Sequence, residues 1–107
     1  MFINPDAATG LKFEWDPRQN RSNLRKHGFD FSDAPAMFDG ILVAAPNTRE
    51  DYGKERWIGI GAIPGRVAVV AFAQLEPSTI RIISLRKANR NESRQYAKAI
   101  EDELEAR

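Results

Sequence analysis

The chain contains no cysteine, so disulfide frameworks, thiolate metal sites and a cysteine nucleophile are excluded. The same absence fits a reducing, cytoplasmic setting. Long apolar runs are also missing. No stretch reaches the roughly 20 residues that a membrane-spanning helix needs, and the first residues show no apolar signal core. Acidic residues are absent from 17–28, and Glu92 is the one acid in 81–98. The first window holds Arg18, Arg21, Arg25 and Lys26; the second holds Arg81, Arg86, Lys87, Arg90, Arg94 and Lys98. They carry +4 and +5 against a whole-chain charge of +1, which leaves −8 for the remainder. Such segregation concentrates positive potential where phosphates dock, and makes nucleic acid the expected partner. Two solvated helix faces are the plainer explanation.

At 107 residues, 42% hydrophobic and 29% charged, the chain has the size and composition of one domain, which buries roughly two-thirds of its unfolded surface. Residues 1–10 show no periodicity and are expected as a flexible leader, with 11–107 as a single domain. Residues 11–16 alternate Leu11, Phe13 and Trp15 against polar neighbours, which predicts a half-buried strand. Asp16-Pro17 reads as an N-cap and first-turn proline, with Gln19 at the capping-box position and Gly28 as the left-handed terminator. A second, shorter helix is expected behind a Ser32 cap, burying Ala34, Met37 and Phe38.

Residues 41–45 then form a brief strand ended by Pro46. Residues 56–63 and 66–74 form a hairpin about Pro64-Gly65. Residues 79–87 make another strand, and Asn89 with Glu92 caps a last helix whose inner stripe is Tyr96, Ala97, Ile100 and Leu104. The expected fold is α+β: a single, mostly antiparallel sheet packed by helices, in the order β-α-α-β-β-β-β-α.

Several residues can carry chemistry. Arg18, Arg21 and Arg25 recur at helical spacing as a cationic stripe. His27 lies four residues from Asn23 on a neighbouring face, and an imidazole titrates near neutrality. It reads either as a proton shuttle or as a helix-terminal group facing the dipole. Glu55 and Arg56 read as a general base and a phosphate ligand, or as a surface ion pair. Within 80–87, Arg81 and Arg86 interrupt a core-grade strand, where unpaired charge is expensive. Both can line one pocket only if a bulge or the strand end re-aims one of them. The structural alternative pairs them with Asp16, Glu55 or Glu92. Glu14 and Asp16 are the sole candidate metal-binding pair, and two-metal sites need more acids than this.

Phe13-Glu14-Trp15-Asp16, Asn23, Lys26-His27-Gly28, Phe31, Ala34 and Phe38 together resemble the opening of the BrnT toxins. Glu55-Arg56, Gly59, Arg81-Ile82-Ile83-Ser84, Arg86, Ala88, Glu92 and Tyr96 continue that resemblance in register. Leu85 departs from it, standing where the family usually has alanine. The resemblance implies a RelE-like fold, no cofactor, and a ribonuclease toxin of a type II toxin–antitoxin pair that halts translation. It also implies a BrnA-type antitoxin as partner and DNA contact only through the antitoxin complex, as a homodimer or a toxin–antitoxin heterotetramer.

The expected chemistry is attack of a ribose 2′-OH on the adjacent phosphate without a metal. Arg56, Arg81 and Arg86 would stabilise phosphate charge, and His27 or Glu55 would move the proton. Lys26, Lys87 and the first-helix arginines would hold the RNA backbone, and Tyr96 would stack a base or belong to the core. A nucleic-acid-binding module without chemistry remains the alternative.

Overall fold

The computed structural model describes residues 2–3, 10–47 and 56–106. Six strands form one sheet in the order β1-β3-β4-β5-β6-β2. They are β1 (Phe2–Ile3), β2 (Lys12–Glu14), β3 (Leu42–Asn47), β4 (Arg56–Ile63), β5 (Arg66–Glu76) and β6 (Thr79–Lys87). Helices α1 (Pro17–His27), α2 (Pro35–Phe38) and α3 (Arg90–Glu105) complete the fold, with a 3-10 turn at Phe31–Asp33. Every strand pair is antiparallel except β2 with β6, which is parallel. The α+β class and the mostly antiparallel sheet are as the sequence predicts.

Three local expectations are corrected. The expected leader contributes strand β1, in which Phe2 and Ile3 pair with Val43 and Leu42. Strand β3 continues through Pro46 to Asn47. Among the described residues β1 covers Leu42 and Val43 and leaves Pro46 at a sheet edge, where a residue without an N–H is tolerated. The turn before α2 is capped by Asp30, not Ser32: the Asp30 side chain accepts the Ser32 N–H at 2.9 Å and an Asn20 Nδ2 bond at 3.1 Å. The Ser32 backbone bond is the chief reason that the Asp30 carboxyl is held below its ordinary pKa, followed by the Asn20 bond.

Local chemistry otherwise places the helices as expected, except that Gln19 closes no capping box on α1. Asp16 accepts the Arg18 N–H at 2.8 Å at the start of α1. Gly28 ends the helix at φ 75°, a left-handed conformation that favours glycine. Asn89 and Glu92 form a complete capping box on α3.

The sheet is covered on two faces. On one, Phe29, Phe31, Met37, Phe38, Leu42, Val70, Phe72, Ile80, Ile82 and Leu85 form the main core, flanked by Phe13, Trp15 and Trp57. Phe38 stacks edge-on between Phe13 and Phe72, with centroids 5.2 and 5.0 Å away. On the other face α3 buries Tyr96 against Ile60, Val69 and Ala88, with Ile41, Val43, Ile58, Val67 and Ile100 at its margin. Its inner stripe is Tyr96, Ala99 and Ile100, while Ala97 and Leu104 face outward.

Candidate active site and nucleic-acid interface

The centre of the site is an irregularity in β6. Ala71 pairs with Ser84 but its neighbour Phe72 pairs with Ile82, so Ile83 is an extra, unpaired residue. Directly opposed residues of an antiparallel pair share a sheet face. Ala73, Ala71 and Val69 alternate onto one face of β5, and their partners are Arg81, Ser84 and Arg86. The bulge therefore brings both arginines to the same face, and rotates Leu85 into the main core, where it is fully buried. Arg56 joins them. It precedes Trp57, the partner of Phe72, and so shares a face with Ile58 and Ile60. Arg56 and Arg81 thus lie on one face with β5 between them, about 10 Å apart at the usual strand spacing.

Neither arginine of β6 is unpaired: Arg86 takes Glu92, one of the partners the structural alternative named, and Arg81 takes Glu14, which it did not name. Arg81 Nη1 donates to Glu14 Oε2 at 2.8 Å, across the parallel β2–β6 pair. This contact is single, with side chains 40% and 45% exposed. Nε and Nη2 of Arg81 make no bond among the described residues. Arg86 is held more firmly. Nη1 and Nη2 donate to Oε1 and Oε2 of Glu92, both at 2.9 Å, and Nη1 also reaches the Lys87 carbonyl at 3.2 Å. The same Glu92 carboxylate accepts the Asn89 N–H at 2.8 Å. The Arg86 hydrogen bonds hold the Glu92 carboxyl below its ordinary pKa, against the opposing effect of burial. They raise Arg86 in turn. Exposed single pairs contribute about 0.2–1 kcal/mol, so an incoming phosphate can displace Glu14 from Arg81 at small cost. Freeing Arg86 would also disturb the α3 cap, worth about 1 kcal/mol.

Beyond Arg81, β2 no longer covers the edge of β6, and α1 takes its place. Asn23, 6% exposed, acts as a surrogate strand residue. Its Oδ1 accepts the Leu85 N–H at 3.1 Å, and its Nδ2 donates to the carbonyls of Leu85 at 2.8 Å and Phe29 at 3.1 Å. Beside this clamp opens a cleft of about 230 Å3 lined by Gln19, Ser22, Asn23, Lys26, His27, Ile83 and Ser84. Gln19 and Ser22 join the expected Lys26 and His27 in this lining. The signal was the spacing of 19, 22, 23, 26 and 27, which is one helix face.

The remaining candidates divide. Arg18, Arg21 and Arg25 are exposed along α1, and Lys87 is exposed at the end of β6. Tyr96 leaves the RNA-binding set: its ring is buried, and its hydroxyl donates to the Ile41 carbonyl at 2.9 Å. Burial raises its pKa. Glu55 lies outside the described residues. The Glu14 and Asp16 pair is committed elsewhere, to Arg81 and to the α1 cap. Among the described residues no three acids or histidines converge as metal ligands, and no helix is long and apolar enough to cross a membrane.

A family model described as the ribonuclease toxin BrnT of type II toxin–antitoxin systems matches residues 15–92. Among solved structures, the chain is similar to the ribonuclease toxin BrnT of Brucella abortus, at 24% identity and a TM-score of 0.56. That similarity covers 75% of this chain and 99% of the Brucella chain, and at that identity it speaks for the fold. None of the curated proteins matches.

Proposed function

Because this chain belongs to the BrnT family of ribonuclease toxins of type II toxin–antitoxin systems, we propose that it cuts RNA on the half of its sheet that α3 leaves uncovered. Membership in that family makes RNA the substrate and an antitoxin protein the partner. We assign the partner to the BrnA type, which would carry DNA binding for the pair, and the outcome to inhibition of translation in the cytoplasm.

The observation that carries the proposal is the bulge at Ile83, which turns Arg81 onto the face that holds Arg56. Two guanidinium groups flanking the small side chain of Ala73 form a shallow cationic seat, and planar forks match phosphate oxygens. A ribose 2′-oxygen bound there attacks the adjacent phosphorus, and the bond to the 5′-oxygen breaks. A 2′,3′-cyclic phosphate and a 5′-hydroxyl result. The 2′-OH proton passes to a base and the leaving oxygen takes one from an acid, steps worth about 10²–10⁴ in rate. Glu55, next to Arg56 in sequence, is the assigned base. Arg56 and Arg81 stabilise the charge on the pentavalent phosphate. Arg86 is reassigned from phosphate ligand to strut, because Glu92 occupies both of its terminal nitrogens. No step requires a metal.

Purified full-length protein incubated with total RNA and EDTA tests this reading. Fragments with cyclic phosphate ends are expected, and Arg81→Ala should lower the rate by about 10²–10³, as removal of one preorganised charge-stabilising donor does. An intact, shifted RNA band would make the chain a binding module. A strict magnesium requirement would overturn the metal-free mechanism.

A further inference from the structure

The α1–β6 cleft is not part of the arginine seat, yet it adjoins it through Ser84, which lines the cleft and shares the sheet face of Arg81. Its lining has an unusual chemical profile. Gln19, Ser22, Lys26, His27 and Ser84 make no side-chain hydrogen bond among the described residues, so an amide, two hydroxyls, an imidazole and an ammonium remain for a ligand. Ile83, pushed out of the ladder by the bulge, supplies an apolar wall. Asn23 is spent on backbone partners and keeps the wall in place. No acid lines the cleft, and the exposed Arg18, Arg21 and Arg25 stripe runs along the same helix. About 230 Å3 is below the roughly 300–1,000 Å3 of pockets for drug-sized molecules.

We propose that this cleft is a nucleobase subsite: it receives one unstacked base of the RNA and sets which sequence is presented to the arginine seat. Single-stranded RNA is read in this way, with splayed bases stacked on histidine or aromatic rings and hydrogen-bonded along their edges. Gln19, Ser22 and Ser84 read the base edge, His27 lies against its face, and Lys26 holds the following phosphate. His27 is thereby a specificity-determining residue and not the acid or base of the cut. The proposal rests on the ribonuclease reading for its biological meaning, but the first of its two tests does not.

Two measurements on the full chain decide it. In the first, the four ribonucleoside 5′-monophosphates are titrated separately into labelled protein while backbone amide signals are followed by NMR. Saturable shifts at Ser22, Lys26, His27 and Ser84 are expected with at least one nucleotide, and are lost in Ser22→Tyr, which fills the cleft. In the second, cleavage of an oligoribonucleotide panel is compared for wild type, Gln19→Ala and His27→Ala. Gln19 is exposed, so its replacement leaves the fold intact. A rise in KM of about tenfold for the preferred sequence, the loss of about one hydrogen bond, is expected with kcat within about threefold. A hundredfold fall in kcat at unchanged KM in His27→Ala, with loss of one limb of the pH profile, would make His27 catalytic and sink the subsite. Absence of nucleotide shifts would sink it as well. A chain that cleaves nothing but shows the shifts would keep the subsite and refute the ribonuclease reading alone.

Discussion

Replacing Asn23 with alanine should cost this domain a large part of its stability, although the residue sits on a helix whose other positions are mostly exposed. The side chain makes three hydrogen bonds, two of them to the backbone of Leu85, a residue 62 positions away. Each bond contributes about 1 kcal/mol net. Loss of the amide also leaves the N–H and carbonyl of a fully buried residue without partners, at about 1–3 kcal/mol for such a group. Water from the adjoining cleft can relieve part of this. The expected loss is about 3–5 kcal/mol, out of roughly 5–15 kcal/mol for a domain of this size. Urea unfolding followed by tryptophan fluorescence should show a large drop in the midpoint with an unchanged slope. Asn23→Asp should do little better, because it keeps the acceptor, loses both donors and buries a carboxylate. A loss below about 1 kcal/mol for Asn23→Ala would refute the view that α1 is held to β6 by this amide.

Glu92→Gln should destabilise the protein by about 1–2 kcal/mol at pH 7, the sum of a half-exposed ion pair and a weakened cap. The folded carboxyl lies below the ordinary value of 4.5, so its contribution is whole above about that pH and fades as pH falls through the lower folded value. The urea midpoints of variant and wild type should therefore draw together as pH falls below about 4.5, and midpoints that stay parallel would contradict the bridge. Gly59→Ala should cost about 1–3 kcal/mol, since a methyl there would lie 3.0 Å from Cδ1 and 3.2 Å from Cγ of the fully buried Leu42. A thermal melt of the variant checks this. Replacing Arg18, Arg21 and Arg25 together with alanine should reduce the slope of log RNA affinity against log salt by about 2, at roughly 0.7 per phosphate contact. An unchanged slope would remove α1 from the RNA path.

What the sequence alone determined was much of what is governed by neighbours a few residues away, though the Ser32 cap expected before α2 falls to Asp30. The Asp16 cap, the Gly28 terminator, the Asn89–Glu92 capping box and the Pro64-Gly65 hairpin are local chemistry, and each appears where the pattern put it. The core positions Ala34, Met37 and Phe38 follow from the helical period. The segregation of charge, and with it the expectation of a nucleic-acid partner, needs no fold at all. Tertiary structure alone decided where those charges go. Arg81 finds Glu14 because β2 adds to β6 in parallel, 67 residues back along the chain, and no local pattern encodes that pairing. A regular β6 would have split its two arginines between opposite faces; the extra residue at Ile83 unites them, and its placement depends on the register with β5. Tyr96 shows the same limit from the other side. Its place on the inner stripe of α3 was legible, with base stacking and the core both open, and the burial of its ring with the hydroxyl on the Ile41 carbonyl decides for the core.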